Sequence, residues 1–398
     1  MSSAHSISDP VVIVGLARTP MAAFQGAFSN VSAPDLGAVA VKAALSESGV
    51  APGDVEQIIM GCVLPAGQGQ APARQAAIKA GLELSCEATT INKMCGSAMQ
   101  AAILAHDTIK AGSADIIVAG GMENMTAAPY VLPKARSGYR MGNGVMVDTM
   151  MHDGLTDAYD GKPMGVFADM IAQEYQFTRE DQDAYAIESV SRARRAAETG
   201  DFDREITPVT VRGRKGDIVV STDAGPEGAR PEKIPTLRPV FSKDGTVTAA
   251  NASSINDGAA ALVLMRKSEA EKRGLKILAE IKAHAAHAHE PKYFTTAPVK
   301  AMEKCLAKAG WETGDVDLWE INEAFAVVPM IAMRDMNLDH DKINVNGGAC
   351  VLGHPIGASG ARIMATLIAA MEKRGAKKGI ASLCIGGGEA TAIALERV

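Results

Sequence analysis

The chain has 398 residues, 47% hydrophobic and 22% charged, enough to bury two cores of ordinary domain size. Only 4% are aromatic while 39 are Gly and 20 are Met, which favours packed α/β layers over an aromatic-rich sandwich. A formal charge of −6 disfavours nucleic acid as a partner, and six cysteines without a CxxC spacing read as reduced thiols of a cytoplasmic protein, not disulfides or zinc ligands.

The N-terminus carries no basic stretch leading into a long apolar run, and no run of about 18 apolar residues follows. Neither secretion nor a membrane span is expected, and the closing Glu-Arg-Val is not a peroxisomal Ser-Lys-Leu address. Val11-Val12-Ile13-Val14 reads as a buried strand, Ala38 to Ser48 as a helix ended by Gly49, and Val55 to Met60 as a second strand. This is the start of a βαβ pattern.

The chain repeats itself. Leu45, Gly49, Gly53, Asp54 and Val55 recur as Leu306, Gly310, Gly314, Asp315 and Val316, a shift of 261. Ser97-Ala98, an apolar helix, Gly112 and a strand from Ile116 to Gly121 recur as Gly360-Ala361, a second such helix, Gly375 and a strand from Ile380 to Cys384, a shift of 263. Two matches in order with nearly equal shifts indicate a duplicated fold. Between the copies, from about Met122 to Ala249, turn-rich stretches at Ser137 to Asn143 and Asp223 to Glu232 flank a charged helix, Asp181 to Thr199. That texture suits an inserted, more exposed lobe carrying substrate contacts.

Four loops attract attention as chemistry. Cys95, in Asn92-Lys93-Met94-Cys95-Gly96-Ser97, directly precedes an apolar helix, where unpaired N–H groups favour a thiolate and an oxyanion. The ordinary fate of a free Cys is a small core residue, and position alone leaves both readings open. Cys384 ends a strand ahead of Ile385-Gly386-Gly387-Gly388, where glycines let backbone approach a ligand; by the repeat it matches Gly121. His354 lies in a glycine-crowded loop, Asn346 to Ala361, that enters the second repeat helix just as Cys95 enters the first, and can serve as a general base. Asn322, in Asn322-Glu323-Ala324-Phe325-Ala326, follows a strand from Val316 to Ile321 and either caps a helix or orients a water or an oxyanion. His284, His287 and His289 read as surface or helix-end residues, and no metal site is expected.

Together these four loops, with Gly347-Gly348-Ala349 and Gly353-His354-Pro355-Ile356-Gly357-Ala358-Ser359-Gly360, resemble the signatures of the thiolase family in order and spacing. The resemblance runs from about Val11 to the C-terminus. It implies two βαβαβαββ halves in a five-layer αβαβα core: residues 1-121 with 250-275, and residues 276-398. A loop domain, 122-249, would cover coenzyme A in a homotetramer. It implies that Cys95 takes the acyl group, His354 activates Cys95, and Cys384 moves the α-proton. Asn322 would hold a water that shares one oxyanion hole with His354, and the N–H groups of Cys95 and Gly386 would form the other. The activity implied is reversible condensation of two acetyl-CoA to acetoacetyl-CoA and free CoA.

The same resemblance implies acyl-CoA contacts from Ser253 and Ala249 in Thr248 to Ser253, and from Leu155, Met164, Ala324, Phe325 and Phe294. No cofactor is held permanently. Phe294 stands where many members have Met and is similar to the potassium-activated type, although the Tyr that helps bind the ion in that type is replaced near Pro226. At Lys162-Pro163-Met164 the His that several relatives carry before the Met is absent. The alternatives are a degradative 3-ketoacyl-CoA thiolase of broader chain length, a decarboxylating ketoacyl synthase, which would not need Cys384, and a noncatalytic lipid-binding relative.

Overall fold

The computed structural model describes residues 9–398 apart from Lys215. Strand β1 (Val11–Arg18) is buried along its whole length. Helix α1 (Ala33–Ser48) begins a turn before the apolar periodicity suggests, because Ser32 caps it by accepting from the Asp35 N–H and Pro34 fits its first turn; Gly49 in the left-handed conformation ends it. There follow β2 (Gln57–Gly61), α2 (Pro72–Ala80), β3 (Glu87–Ile91), α3 (Ser97–Ala111) and β4 (Ile116–Asn124). The middle of the chain supplies α4 (Met164–Glu174) and α5 (Arg179–Glu198). The rest comprises β5 (Asn256–Arg266), β6 (Ala279–Ala288), α6 (Ala297–Ala309), β7 (Leu318–Ile321), α7 (Val327–Asp335), α8 (Ser359–Arg374), β8 (Lys378–Ile385) and β9 (Glu389–Glu396).

The strands follow the order β7-β8-β9-β6-β1-β5-β4-β2-β3. The duplication is visible in that order. β1 and β6 meet antiparallel at the centre, Val12 opposite Glu280 and Ile13 opposite Ala279. Outward from each lies an antiparallel neighbour, β5 or β9, then β4 or β8, then a parallel strand, β2 or β7. The counterpart of β3 shrinks to one parallel bridge, Trp319 to Ile343.

Residues alternate along each strand between two cores. One face of the first half-sheet, with Val118 and Val263, packs on α1 and α2; one face of the second, with Ile380 and Ala392, packs on α6 and α7. The opposite faces, with Ala119, Leu264, Leu383 and Ile393, enclose α3 and α8. These are the five layers. The middle helices approach backbone to backbone, since a Cβ on Gly360 would stand 2.3 Å from the Met99 nitrogen. Their N-terminal loops, one bearing Cys95 and the other His354, are thereby brought together from residues far apart in the chain.

The segment between β4 and β5 is tied down by buried polar groups. Arg18 of β1 pairs with Glu205 and Asp223, each at 2.7 Å. Glu323 accepts from Tyr185 and Ser189 of α5 at 3.0 and 2.8 Å and from the Cys350 N–H at 3.0 Å. Removing either partner would strand a buried charge, which makes such clamps costly to break. One turn of helix, Ala349–Leu352, interrupts the long glycine-rich loop because Val351 and Leu352 find an apolar surface on α5.

Candidate active site

Cys95 sits on a strained turn. Met94 before it has φ +46°, a left-handed conformation that costs a non-glycine residue about 1–2 kcal/mol. Hydrogen bonds hold it there: Met94 N–H to Asn92 Oδ1 at 2.9 Å, Lys93 N–H to Ser97 Oγ at 2.9 Å, and Ser97 Oγ to the Met94 carbonyl at 2.6 Å. Gly96 lets this turn press on Ile385 at the end of β8, where a Cβ would lie 2.3 Å from the Ile385 Cδ1. Cys95 and the Cys384–Gly386 loop thus come from opposite halves and touch.

Burial pushes the Cys95 thiol up to about 11, against the pull of the Gly386 and Cys95 N–H groups. The helix-end thiolate anticipated from position is therefore overridden: desolvation outweighs the N–H dipoles and the resting group is a thiol. Cys384 is pushed well above its ordinary range, first by burial and next by the charge of Cys95. An ionised Cys95 would therefore oppose ionisation of Cys384.

His354 opens onto an apolar wall at Ile356, the cluster against which Cys95 packs. Burial, with the charge of Arg362, drives His354 down to about 3. Its Nδ1 lies 2.6 Å from Ser359 Oγ, and Ser359 donates its own proton to the Pro355 carbonyl at 2.9 Å. His354 is therefore protonated on Nδ1, leaving Nε2 a buried acceptor without a partner among the described residues. Asn322 Nδ2 stands 3.5 Å from His354 Nδ1, farther than the Ser359 oxygen, and its Oδ1 accepts from Arg362 at 3.3 Å. Arg362 is fully buried and approaches Glu320 at 3.8 Å.

The His354 loop is anchored across the molecule by Glu123. Its carboxylate accepts from the Gly357 N–H at 2.9 Å, from Val63 at 2.9 Å and from Leu64 at 3.1 Å. Burial raises Glu123 to about 7 in spite of those donors.

An apolar cavity of about 430 Å³ opens onto His354. Leu155, Met164, Ala249, Ser253 and Phe325 line it, and Met125, Met151, Phe241 and Ile356 extend the wall. Cys95 and Leu155 both pack against the apolar cluster that includes Met125 and Ile356. Ala324 lies beneath, its carbonyl accepting from Ser253 N–H at 2.9 Å. Phe294 stands behind Phe325, ring centres 6.2 Å apart. Ser359, Arg362 and Glu123 escaped the sequence reading; an arginine inside the apolar run Ala361 to Ala365 was the signal for one of them. His284 and His287 of β6 and His289 just beyond it do not converge: His287 faces His289, and His284 faces α3.

A thiol and a neutral imidazole at the end of an apolar cavity suit a thioester, whose acyl group can pass to sulfur. Fold and cavity alike suit an acyltransferase. The chain belongs to the thiolase family: Thiolase, N-terminal domain, matches residues 11–268, and Thiolase, C-terminal domain, matches residues 275–397. It is 52% identical to an acetyl-CoA acetyltransferase of Cupriavidus necator over 97% of this chain and 99% of that one. An acetyl-CoA acetyltransferase of Chromobacterium violaceum is 50% identical over 97% and 99%. The solved acetyl-CoA acetyltransferase of Syntrophomonas wolfei superposes with a TM-score of 0.95 at 42% identity, covering 98% of this chain and all of that one.

Proposed function

We propose that the protein condenses two acetyl-CoA molecules reversibly to acetoacetyl-CoA and free CoA through an acyl-Cys95 intermediate. The observation that carries this reading is the free Nε2 of His354 at the cavity end, beside a thiol that burial keeps protonated. The Cys95 proton passes to Nε2 as sulfur attacks the acetyl carbonyl; the departing CoA sulfur takes that proton away. The Gly386 and Cys95 N–H groups, which favour negative charge on this sulfur, are placed to hold the acyl oxygen. Cys384 then passes its proton to His354 Nε2, free again once CoA has left, and takes the α-proton of a second acetyl-CoA. The resulting enolate attacks the acyl group, with Asn322 and a water stabilising charge on its thioester oxygen, and the expelled Cys95 thiolate takes the proton held by His354.

On this reading residues 1-121 with 250-275 and residues 276-398 are the two catalytic halves, and 122-249 covers the pantetheine, met by Ser253, Ala249, Leu155, Met164, Ala324 and Phe325. Phe294 acts on the acyl pocket through Phe325. Coenzyme A is substrate and product, and no resident cofactor is needed. Potassium is left out, because the Arg194 guanidinium already donates to the Pro226 carbonyl at 3.1 Å. We place the enzyme in the cytoplasm, in keeping with its six free cysteines, and as a homotetramer, in keeping with the exposed Tyr130, Leu132, Met141 and Val145. The test is CoA-dependent cleavage of acetoacetyl-CoA against 3-ketodecanoyl-CoA. Strong preference for the short substrate is expected, and equal or better kcat/KM on the ten-carbon chain would replace this reading by a broad degradative thiolase.

A further inference from the structure

We propose that His106, Asp107 and His284 form a zinc site that fastens the last turns of α3 to β6, apart from the catalytic centre. His106 lies eleven residues beyond Cys95 along the chain, about 14 Å along α3 from the helix start. Three ligand atoms converge there. His106 Nδ1 is 2.9 Å from Asp107 Oδ1, His284 Nε2 is 2.9 Å from the same oxygen, and the two nitrogens are 3.2 Å apart. The donors of a tetrahedral zinc site with bonds of about 2.0–2.2 Å are separated by about 3.3–3.6 Å, so the triangle need open by only a few tenths of an ångström.

Protons serve this triangle poorly. If both rings donate to Asp107 Oδ1, their nitrogens crowd to 3.2 Å with no hydrogen bond between them. If His106 Nδ1 instead accepts from His284, its lone pair faces the carboxylate at 2.9 Å. No placement of protons satisfies all three contacts, whereas one cation does. The rings stand edge to face at 80°, which keeps both ligand nitrogens directed inward. Both histidine side chains are sheltered, at 14% and 18% exposure, and Asp107 at 55% leaves the fourth position open to water. Two imidazoles and a carboxylate suit zinc better than magnesium or calcium, which prefer oxygen. Lysines 110 and 308 oppose a cation nearby, and their ammonium groups are directed to the Asp9 carbonyl at 2.9 Å and the His284 carbonyl at 3.0 Å. His284 was set among its sequence neighbours 287 and 289; its partner proves to lie 178 residues away, which no local spacing reveals.

The test is equilibrium dialysis of the chelator-treated full chain against zinc chloride, in a Cys95→Ser/Cys384→Ser background so that the catalytic thiols take up no metal. One saturable equivalent per chain and a higher Tm with zinc are expected. His284→Gln should abolish both, and the exposed Asp107→Asn should weaken uptake about tenfold without harming the fold. Absence of saturable uptake, or uptake unchanged in Asp107→Asn and His284→Gln, would overturn the proposal. So would a zinc-edge anomalous peak placed elsewhere in crystals of the loaded protein.

Discussion

His354 Nδ1 lies 2.6 Å from Ser359 Oγ, and because Ser359 spends its own proton on the Pro355 carbonyl, the imidazole proton is fixed on Nδ1. On the proposed mechanism Ser359 is thus a positioning residue, which selects the tautomer whose Nε2 would accept from Cys95. Ser359→Ala removes one hydrogen bond from a buried ring, about 1–1.5 kcal/mol, and kcat for thiolysis should fall about tenfold. KM should stay within twofold of about its starting value, since Ser359 lies outside the cavity wall. A rise in KM with unchanged kcat would show that Ser359 supports binding and does not set the tautomer.

The thiol at about 11 and the imidazole at about 3 define a neutral pair across the whole working range. Alkylation of Cys95 by iodoacetamide should therefore rise about tenfold per pH unit from 6 to 10, because only the scarce thiolate reacts. A plateau between pH 6 and 9 would mean a thiolate–imidazolium pair and would refute the neutral resting state. His354 also affects stability. Its value is lower in the folded protein than the ordinary 6.5, so its contribution is complete above pH 6.5 and is lost as pH falls toward 3. A His354→Asn variant should lose less stability than the parent over that interval in urea titrations.

Arg362 holds Asn322 by its oxygen at 3.3 Å and offers its charge to Glu320 at 3.8 Å. Burial pushes Glu320 up to about 8 even with that cation beside it. Arg362→Met should cost about 1–3 kcal/mol by leaving a buried, protonated carboxyl without its polar partner. Adding Glu320→Leu should recover most of the stability, since an apolar pair of similar volume replaces the two polar groups. The rate should stay about tenfold low in the double variant, because Asn322 still lacks its anchor. Full recovery of kcat together with Tm would reduce Arg362 to a structural role.

Cys95, His354, Asn322 and Cys384 were legible because each follows a strand or opens a helix within a glycine-marked loop, and because the repeat aligned two of those loops. The pairing of β1 with β6 was not, since equal spacing reveals two copies without revealing which edges join. Nor was the state of Cys95. Its helix-end position pointed toward a thiolate, whereas burial, a property of the whole fold, made it a thiol. Ser359 and Glu123 escaped for a related reason: their roles depend on hydrogen bonds to the His354 loop, in the case of Glu123 from 234 residues away.

Two glycines of the site should respond oppositely to the same change. A Cβ on Gly386 would meet only the Met164 Cε at 3.8 Å and the Met94 Cε at 4.0 Å, both ordinary contacts with flexible side chains. Gly386→Ala keeps the N–H directed at Cys95, so kcat should remain within about threefold of the parent and Tm should not move. At Gly121 the added carbon would stand 2.0 Å from the Gly357 carbonyl oxygen and 2.8 Å from the Ala98 Cβ. Neither backbone can yield there without displacing the loop that carries His354 or the first turn of α3. Gly121→Ala should therefore lose about 1–3 kcal/mol of stability, and its kcat should fall along with it. The pair separates two reasons for glycine in one site. If Gly386→Ala folded normally yet lost its activity, the N–H would need a backbone conformation that alanine cannot hold. A fully active, stable Gly121→Ala would mean that β4 and the His354 loop are not held in contact.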